Sequence, residues 1–171
     1  MDPQHAAILR NVEIQSYNNE HAMTRRVIEA IPADKSDFKP DPVVKSALEL
    51  AWHIVGAEHR FVQAVIEGAF DFTNTGRPPE LATPADISGW AAAQFKDDMA
   101  RLTRVSPEDL ARPIDFRGLF RQPAVAFLRI GLNHSIHHRG QLSMYLRPMG
   151  AKVPAIYGES YDSARAKQAI T

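Results

Sequence analysis

The sequence predicts an all-α fold, a four-helix bundle formed by a single domain. Four long segments repeat apolar residues at the 3.6-residue period of an amphipathic helix. Proline or glycine signals bound these segments. A length of 171 residues suits one domain with one substantial core. Four such helices joined by connections of mixed length fit a bundle with room for a non-sequential path.

The first helix is expected from about His5 to Ile31, where Ile8, Val12, Tyr17, Met23, Val27 and Ile28 recur at roughly helical intervals. Pro32 and the polar stretch to Pro42 end it. The second is expected from Val43 to Gly68, with Asp41 as its cap, Pro42 at the first helical position and Gly68 as its stop. Gly76, Pro78 and Pro79 make residues 69–83 a loop. The third helix is expected from Pro84 to Val105, and Ser106-Pro107-Glu108-Asp109 then opens a short helical turn by the same capping logic. Pro113 to Arg121 reads as extended or irregular chain, with Phe116 and Phe120 against the bundle. The fourth helix is expected from Gln122-Pro123 to Pro148-Met149-Gly150. The aromatic stretch from Ala151 to Tyr161 is expected to pack, and the last ten residues to fray, which leaves an ordered core of residues 3–162 within the single domain 1–171.

Composition narrows the function classes. Twenty basic and twenty acidic residues cancel, so the overall positive field that non-specific nucleic-acid binding needs is missing, and no nucleic-acid partner is expected. The absence of cysteine excludes disulfides, thiolate ligands and a cysteine nucleophile, so any thiol chemistry requires a thiol brought from outside. Met1 to Arg10 lacks a basic region followed by an apolar run, and no window approaches the roughly 18 continuous apolar residues of a membrane span. The expectation is a soluble cytoplasmic protein.

The chemistry concentrates on the fourth helix. His134 and His138 are four residues apart, which puts them on adjacent turns of one helix face and lets both hold one metal ion. The spacing matches that of H-E-x-x-H metalloproteases, but the glutamate is missing, so proteolysis is not implied. At about 100° per residue, Phe127, Ile130, Gly131, His137, Gln141 and Tyr145 share their stripe, while Val125, Leu132, Ile136, Arg139 and Ser143 lie opposite. Spacing alone leaves His137 and His138 as rivals.

A third ligand should come from a facing helix, and the second helix offers His53, with Gly56 and Ala57 leaving room for an ion and a substrate. Glu49, one turn before His53, is placed to bond a ligand imidazole, bind substrate or move a proton; the plainer reading is a solvated charge or an ion pair with Arg60 or another cation. His59 points away from His53, and His5 and His21 have no paired spacing. Gln141 is placed to orient a ligand histidine or a water. Tyr145, Tyr157, Trp52 and Trp90 read as packing aromatics, and Arg139 as a structural or dimer-face residue. Three imidazoles suit Zn, Ni, Fe or Mn and leave a coordination position open, the pattern of a catalytic site. An ion held this way lowers the pKa of water or polarises a substrate oxygen or sulfur.

The run His134-Ser135-Ile136-His137-His138-Arg139-Gly140-Gln141-Leu142, followed by Tyr145-Leu146-Arg147, resembles the last-helix signature of the DinB/YfiT-like superfamily. Val153-Pro154-Ala155-Ile156-Tyr157-Gly158-Glu159-Ser160 resembles the segment after it, and Ala51-Trp52-His53-Ile54-Val55-Gly56-Ala57-Glu58 its second-helix histidine region. The resemblance spans nearly the whole chain. It implies an up-down-down-up four-helix bundle, frequent homodimers and a divalent metal on three histidines, which fall here on His53, His134 and His138 and thereby set His138 above His137. Some relatives are thiol-dependent transferases or isomerases and others metal-dependent hydrolases. The expectation is therefore a divalent-metal protein, a hydrolase or a thiol-dependent S-transferase acting on a small molecule, with a low-molecular-weight thiol as a second cofactor in the latter case. The rivals are a non-catalytic protein in which the ion ties helices together, and an empty ancestral site that serves a stress-related interaction.

Overall fold

The structure is a computed structural model that describes residues 1–169. The chain is mostly helical: α1 (Pro3–Glu29), α2 (Ala47–Glu67), α3 (Pro84–Leu102), the short α4 (Pro107–Ala111), α5 (Ala126–Leu146) and α6 (Tyr161–Gln168). A two-stranded antiparallel sheet, β1 (Pro113–Phe116) with β2 (Phe120–Pro123), departs from the all-α expectation. No described helix is long and apolar enough to cross a membrane.

Local chemistry sets the helix ends. Asp2 caps α1 by accepting the His5 amide, with Pro3 in the first turn. The start of α2 moves from Val43 to Ala47 because Ser46 and Glu49 form a capping box: Ser46 Oγ accepts the Glu49 amide at 3.2 Å and Glu49 Oε2 accepts the Ser46 amide at 2.7 Å. Asp41 instead closes a local turn by accepting the Val43 amide at 2.9 Å. Gly68 ends α2 with φ of 76°, a left-handed conformation that favours glycine. Thr83 and Asp86 box the start of α3, and Ser106 caps α4 as expected.

Two boundaries differ from the sequence reading at the other end. Gln122 and Pro123 belong to β2, not to a helix: Ile114 pairs with Gln122, and Arg117 and Gly118 both take positive φ in the hairpin turn, with Asp115 accepting the Gly118 amide. The last residues form α6, because Ser160 caps it and Asp162 ties it down by accepting the Val153 amide at 2.8 Å and pairing with Arg147. Thr171 and Ile170 lie outside the described residues.

Cross-helix contacts give the path. Along α1 and α5 the partners advance together, Glu13 with Arg129 and Glu20 with Arg139, and beyond the ends of both helices Lys35 donates to the Met149 carbonyl. Between α2 and α5 they run opposed, His53 with His138 and Phe61 with His134. The α2–α3 partners advance together, Trp52 with Trp90 and Gln63 with Asp98 and Arg101. The α1–α3 partners oppose, Arg10 with Thr103 and Arg25 with Ser88. Thus α5 lies between α1 and α2.

That position corrects the single inward stripe expected on α5. Leu132 and Arg139, assigned to its far side, are buried at 1 % and 2 % exposure, because a helix with two neighbours buries a wider arc than one stripe. On α1 the buried face is Ala6, Glu13, Ile14, Tyr17, His21, Thr24, Val27 and Ile28, whereas Ile8 and Val12 point outward.

The apolar core falls into two clusters. One joins Tyr17, Phe61, Val62, Phe127 and Leu128, and the other Val27, Ile28, Ile54, Leu142 and Leu146. In the sequence intervals between them, α1 contributes His21 and Thr24, α2 Glu58 and α5 Ser135 and Arg139, all buried. Gly131 allows the close approach in the first cluster: a Cβ there would stand 2.6 Å from Phe61 Cβ and 2.8 Å from Tyr17 Oη. Tyr17 Oη donates to the Leu128 carbonyl at 2.8 Å, which satisfies its buried hydroxyl.

Candidate metal centre

His53 on α2 and His134 and His138 on α5 converge, each offering one ring nitrogen within 4.8 Å of the others. The antiparallel register of α2 and α5 makes this possible, since it brings position 53 opposite 138 across the interface. The rings meet edge to face with centroids 4.4–4.9 Å apart.

The donor set fits a divalent ion. His53 Nε2 and His138 Nε2 stand 3.3 Å apart. Two nitrogens about 2.0–2.1 Å from one tetrahedral zinc would be separated by about 3.3–3.4 Å. Gln141 Oε1 accepts from His138 Nδ1 at 2.6 Å, which places the proton on Nδ1 and frees the Nε2 lone pair. His134 Nδ1 is buried with no hydrogen-bond partner among the described residues.

Electrostatics keeps the trio neutral. Burial, then His138, Lys45 and Arg60, pushes the His53 pKa down to about 4. Burial, then the neighbouring histidines and Arg60, does the same for His134, also to about 4. Burial lowers His138 against an opposing pull from the Gln141 hydrogen bond. Neutral imidazoles are the ligand form, so no deprotonation cost opposes metal binding at neutral pH. The unfolded chain, with histidine near 6.5, holds more protons than the folded one between pH 6.5 and 4. The trio's contribution to stability is therefore present above pH 6.5 and is lost as pH falls towards 4. Thermal unfolding of metal-free protein across this range is expected to show Tm falling with pH, and metal content is expected to fall as pH nears 4, where the folded imidazoles protonate; a flat profile in both would contradict the assignment.

The trio opens on a cavity of about 760 Å³ lined by His53 and His134, by Gly56, Ala57 and Arg60 of α2, and by the loop and hairpin residues Phe72 and Phe116. Phe70, Phe72, Phe116, Phe120 and Phe127 pack ring against ring and hold the hairpin against α5, so Phe116 and Phe120 are tucked against a helix. Glu49 reaches the same cavity, but its carboxylate closes the α2 capping box and stands 3.8 Å from Lys39, so the cation it meets is that lysine rather than Arg60. The Ser46 amide bond holds the Glu49 carboxyl below its ordinary value, so at neutral pH it is a charged acceptor.

The remaining sequence candidates fall as follows. His137 is exposed, outside the trio, its ring 4.9 Å from that of His138. Tyr145 packs edge-on to Phe38. Tyr157 is not a core aromatic: the residue is 69 % exposed, and its hydroxyl is held by Arg139 and Glu20. Trp52 and Trp90 pack on each other and also wall a neighbouring cavity of about 660 Å³. Two further histidine–carboxylate pairs escaped the sequence reading: His21 Nδ1 lies 2.6 Å from Glu58 Oε1 in the core, and His59 Nδ1 donates to Asp98 Oδ2 at 2.7 Å. Their partners are 37 and 39 residues away in sequence, so no local spacing announces them.

The family model described as DinB family matches residues 5–169. The uncharacterized protein YjoA of Bacillus subtilis (strain 168) is 30 % identical over 143 residues, covering 82 % of this chain and 90 % of its own. The crystal structure of a DinB-like protein, YjoA from Bacillus subtilis, superposes with a TM-score of 0.71 at 28 % identity, over 86 % of this chain and 99 % of that one. A DinB-like protein from Bacillus cereus ATCC 10987 superposes with a TM-score of 0.72 at 25 % identity, over 85 % and 95 %. By matched length, sequence and fold, the chain belongs to the DinB family.

Proposed function

We propose that this protein holds a divalent ion on His53, His134 and His138 and acts as a metal-dependent enzyme on a small molecule. The observation that carries the reading is the pair of imidazole nitrogens 3.3 Å apart beside a cavity of ligand size. The up-down-down-up four-helix bundle is part of the same proposal: the opposed α1–α3 and α2–α5 contacts and the co-directional α1–α5 and α2–α3 contacts support it.

Three imidazoles suit Zn, Ni, Fe or Mn, and such an ion supplies Lewis-acid activation of water or of a low-molecular-weight thiol. The protein's own residues do the rest. Gln141 fixes the tautomer of His138. The Phe72 and Phe116 rings form an apolar part of the cavity wall. A chain without cysteine offers no competing thiolate of its own, which suits transfer to an external thiol.

A purely structural ion is the other reading. A crystal structure of zinc-loaded protein separates the two. The enzyme reading expects three histidine ligands and a position open to solvent on the cavity side; a fourth protein ligand closing the shell would sink it.

A further inference from the structure

The chain is neutral overall, yet the cavity beside the histidine trio is not. Lys45, Arg60, Arg77 and Arg117 line it against the single carboxylate of Glu49, whose charge is engaged by the α2 cap. Among the described residues none of these four cations takes part in an ion pair within 4.0 Å. Two have other engagements: Arg77 donates to the Leu81 carbonyl, and the Arg117 guanidinium lies 4.8 Å over the Phe72 ring.

Arg60 differs from the rest. It sits on α2 two turns after His53, so it belongs to the rigid helix that carries a metal ligand. It is half-buried and donates no hydrogen bond to the described residues, although a guanidinium has five N–H donors. Burial lowers its pKa, and Asp71 only partly offsets this. That aspartate is exposed and holds the Thr73 amide and hydroxyl at 2.7 Å. A half-buried guanidinium without an anion is costly unless a ligand supplies one. Its planar fork matches a carboxylate or a phosphate.

We propose that Arg60, supported by Lys45, forms an oxyanion subsite beside the histidine trio, and that the substrate is a small molecule carrying a carboxylate or phosphate group. This deepens the metalloenzyme reading and rests on it for what happens at the other end of the substrate. Arg60 fixes the anionic end, and the distance along α2 to His53 then sets which substrate atom reaches the metal centre. The cavity of about 760 Å³ accommodates a molecule larger than the anion alone.

The test is calorimetric titration of full-length protein at low salt with inorganic phosphate and, separately, with succinate. Zinc-loaded and metal-free samples are both used, and metal content is measured on each. One anion is expected to bind wild-type protein, and the tighter of the two names the substrate's headgroup. Arg60→Gln is expected to raise the dissociation constant tenfold or more with metal content unchanged, because a charge-assisted bidentate contact is lost. Arg60→Lys should fall between them, and Arg104→Gln, an exposed arginine elsewhere, should match wild type. Tm values confirm that each variant is folded. Arg60→Gln binding both anions as tightly as wild type would overturn the subsite while leaving the metal result standing. Wild-type protein that takes up no zinc would overturn the metal reading instead, and Arg60-dependent binding to that same protein would still support the subsite.

Discussion

Replacing His53, His134 or His138 singly by Ala is expected to strip the protein of metal. Structural zinc sites bind with roughly 10–16 kcal/mol shared among a few ligands, so one lost imidazole removes on the order of 3–5 kcal/mol, a factor of a hundred or more in affinity. Mass spectrometry of protein purified without an affinity tag measures it. The His53 variant is the most informative, because His53 is the one member of the proposed trio that α2 carries. Full metal retention there would mean that two α5 histidines suffice and that the 3.3 Å approach of His53 to His138 is incidental. His137→Ala is expected to keep its metal, since that ring is exposed and outside the trio. Gln141→Ala should weaken binding by about 10–100-fold without removing a ligand, the usual cost of losing the group that orients a ligand imidazole.

Arg139→Ala is expected to be the most destabilising single change away from the metal. The guanidinium is 2 % exposed and pairs with Glu20 Oε2 at 2.7 Å. It also donates to the Glu20 carbonyl at 3.2 Å and to the Tyr157 hydroxyl at 2.6 Å, and that hydroxyl donates to Glu20. One side chain thus joins α5, α1 and the segment that leads into α6. Truncation leaves the Glu20 carboxylate, 16 % exposed, without its cation, and breaking such a buried pair costs about 3–5 kcal/mol. Against a total stability of about 5–15 kcal/mol, that is a large fraction of what holds the protein folded. Lysine should not rescue it, because an ammonium cannot serve Glu20 and Tyr157 with the same fork. Tyr157→Phe removes only the hydroxyl and is expected to cost about 0.5–1.5 kcal/mol. Urea unfolding measures both; an Arg139→Ala loss below about 1 kcal/mol would show that the network is not a structural tie.

The expectation for Arg139 illustrates what one sequence conveys. As a residue three positions from Ile136 and four from Ser135, it reads as part of a mixed outer face. Its burial depends on α1 lying along that side of α5, which no local pattern records. Ile8 and Val12 err in the opposite direction: they are apolar and helically spaced, yet they are 59 % and 52 % exposed, while Glu13 and His21 are buried. Periodicity identifies a helix reliably because it follows from 3.6 residues per turn, but it ranks faces by hydrophobicity. Here several polar residues are buried with partners on other helices, Glu13 with Arg129 and His21 with Glu58. The hairpin is only half legible: the extended character of residues 113–121 is visible, but Gln122, which pairs with Ile114, reads as the start of a helix.

The sequence by itself determined the existence of the four long helices, the capped short turn after the third, and the pairing of His134 with His138 on one face. Each of these follows from residues within a few positions of one another. Tertiary structure alone decided that His53, which the sequence offers as a third ligand, reaches within 3.3 Å of His138 across 85 residues of sequence. It also decided that Arg60 faces the histidine cavity without an ion-pair partner among the described residues. These depend on which helices pack together and in which direction. That choice is made by burial over the whole chain and leaves no mark at the spacing of a single turn.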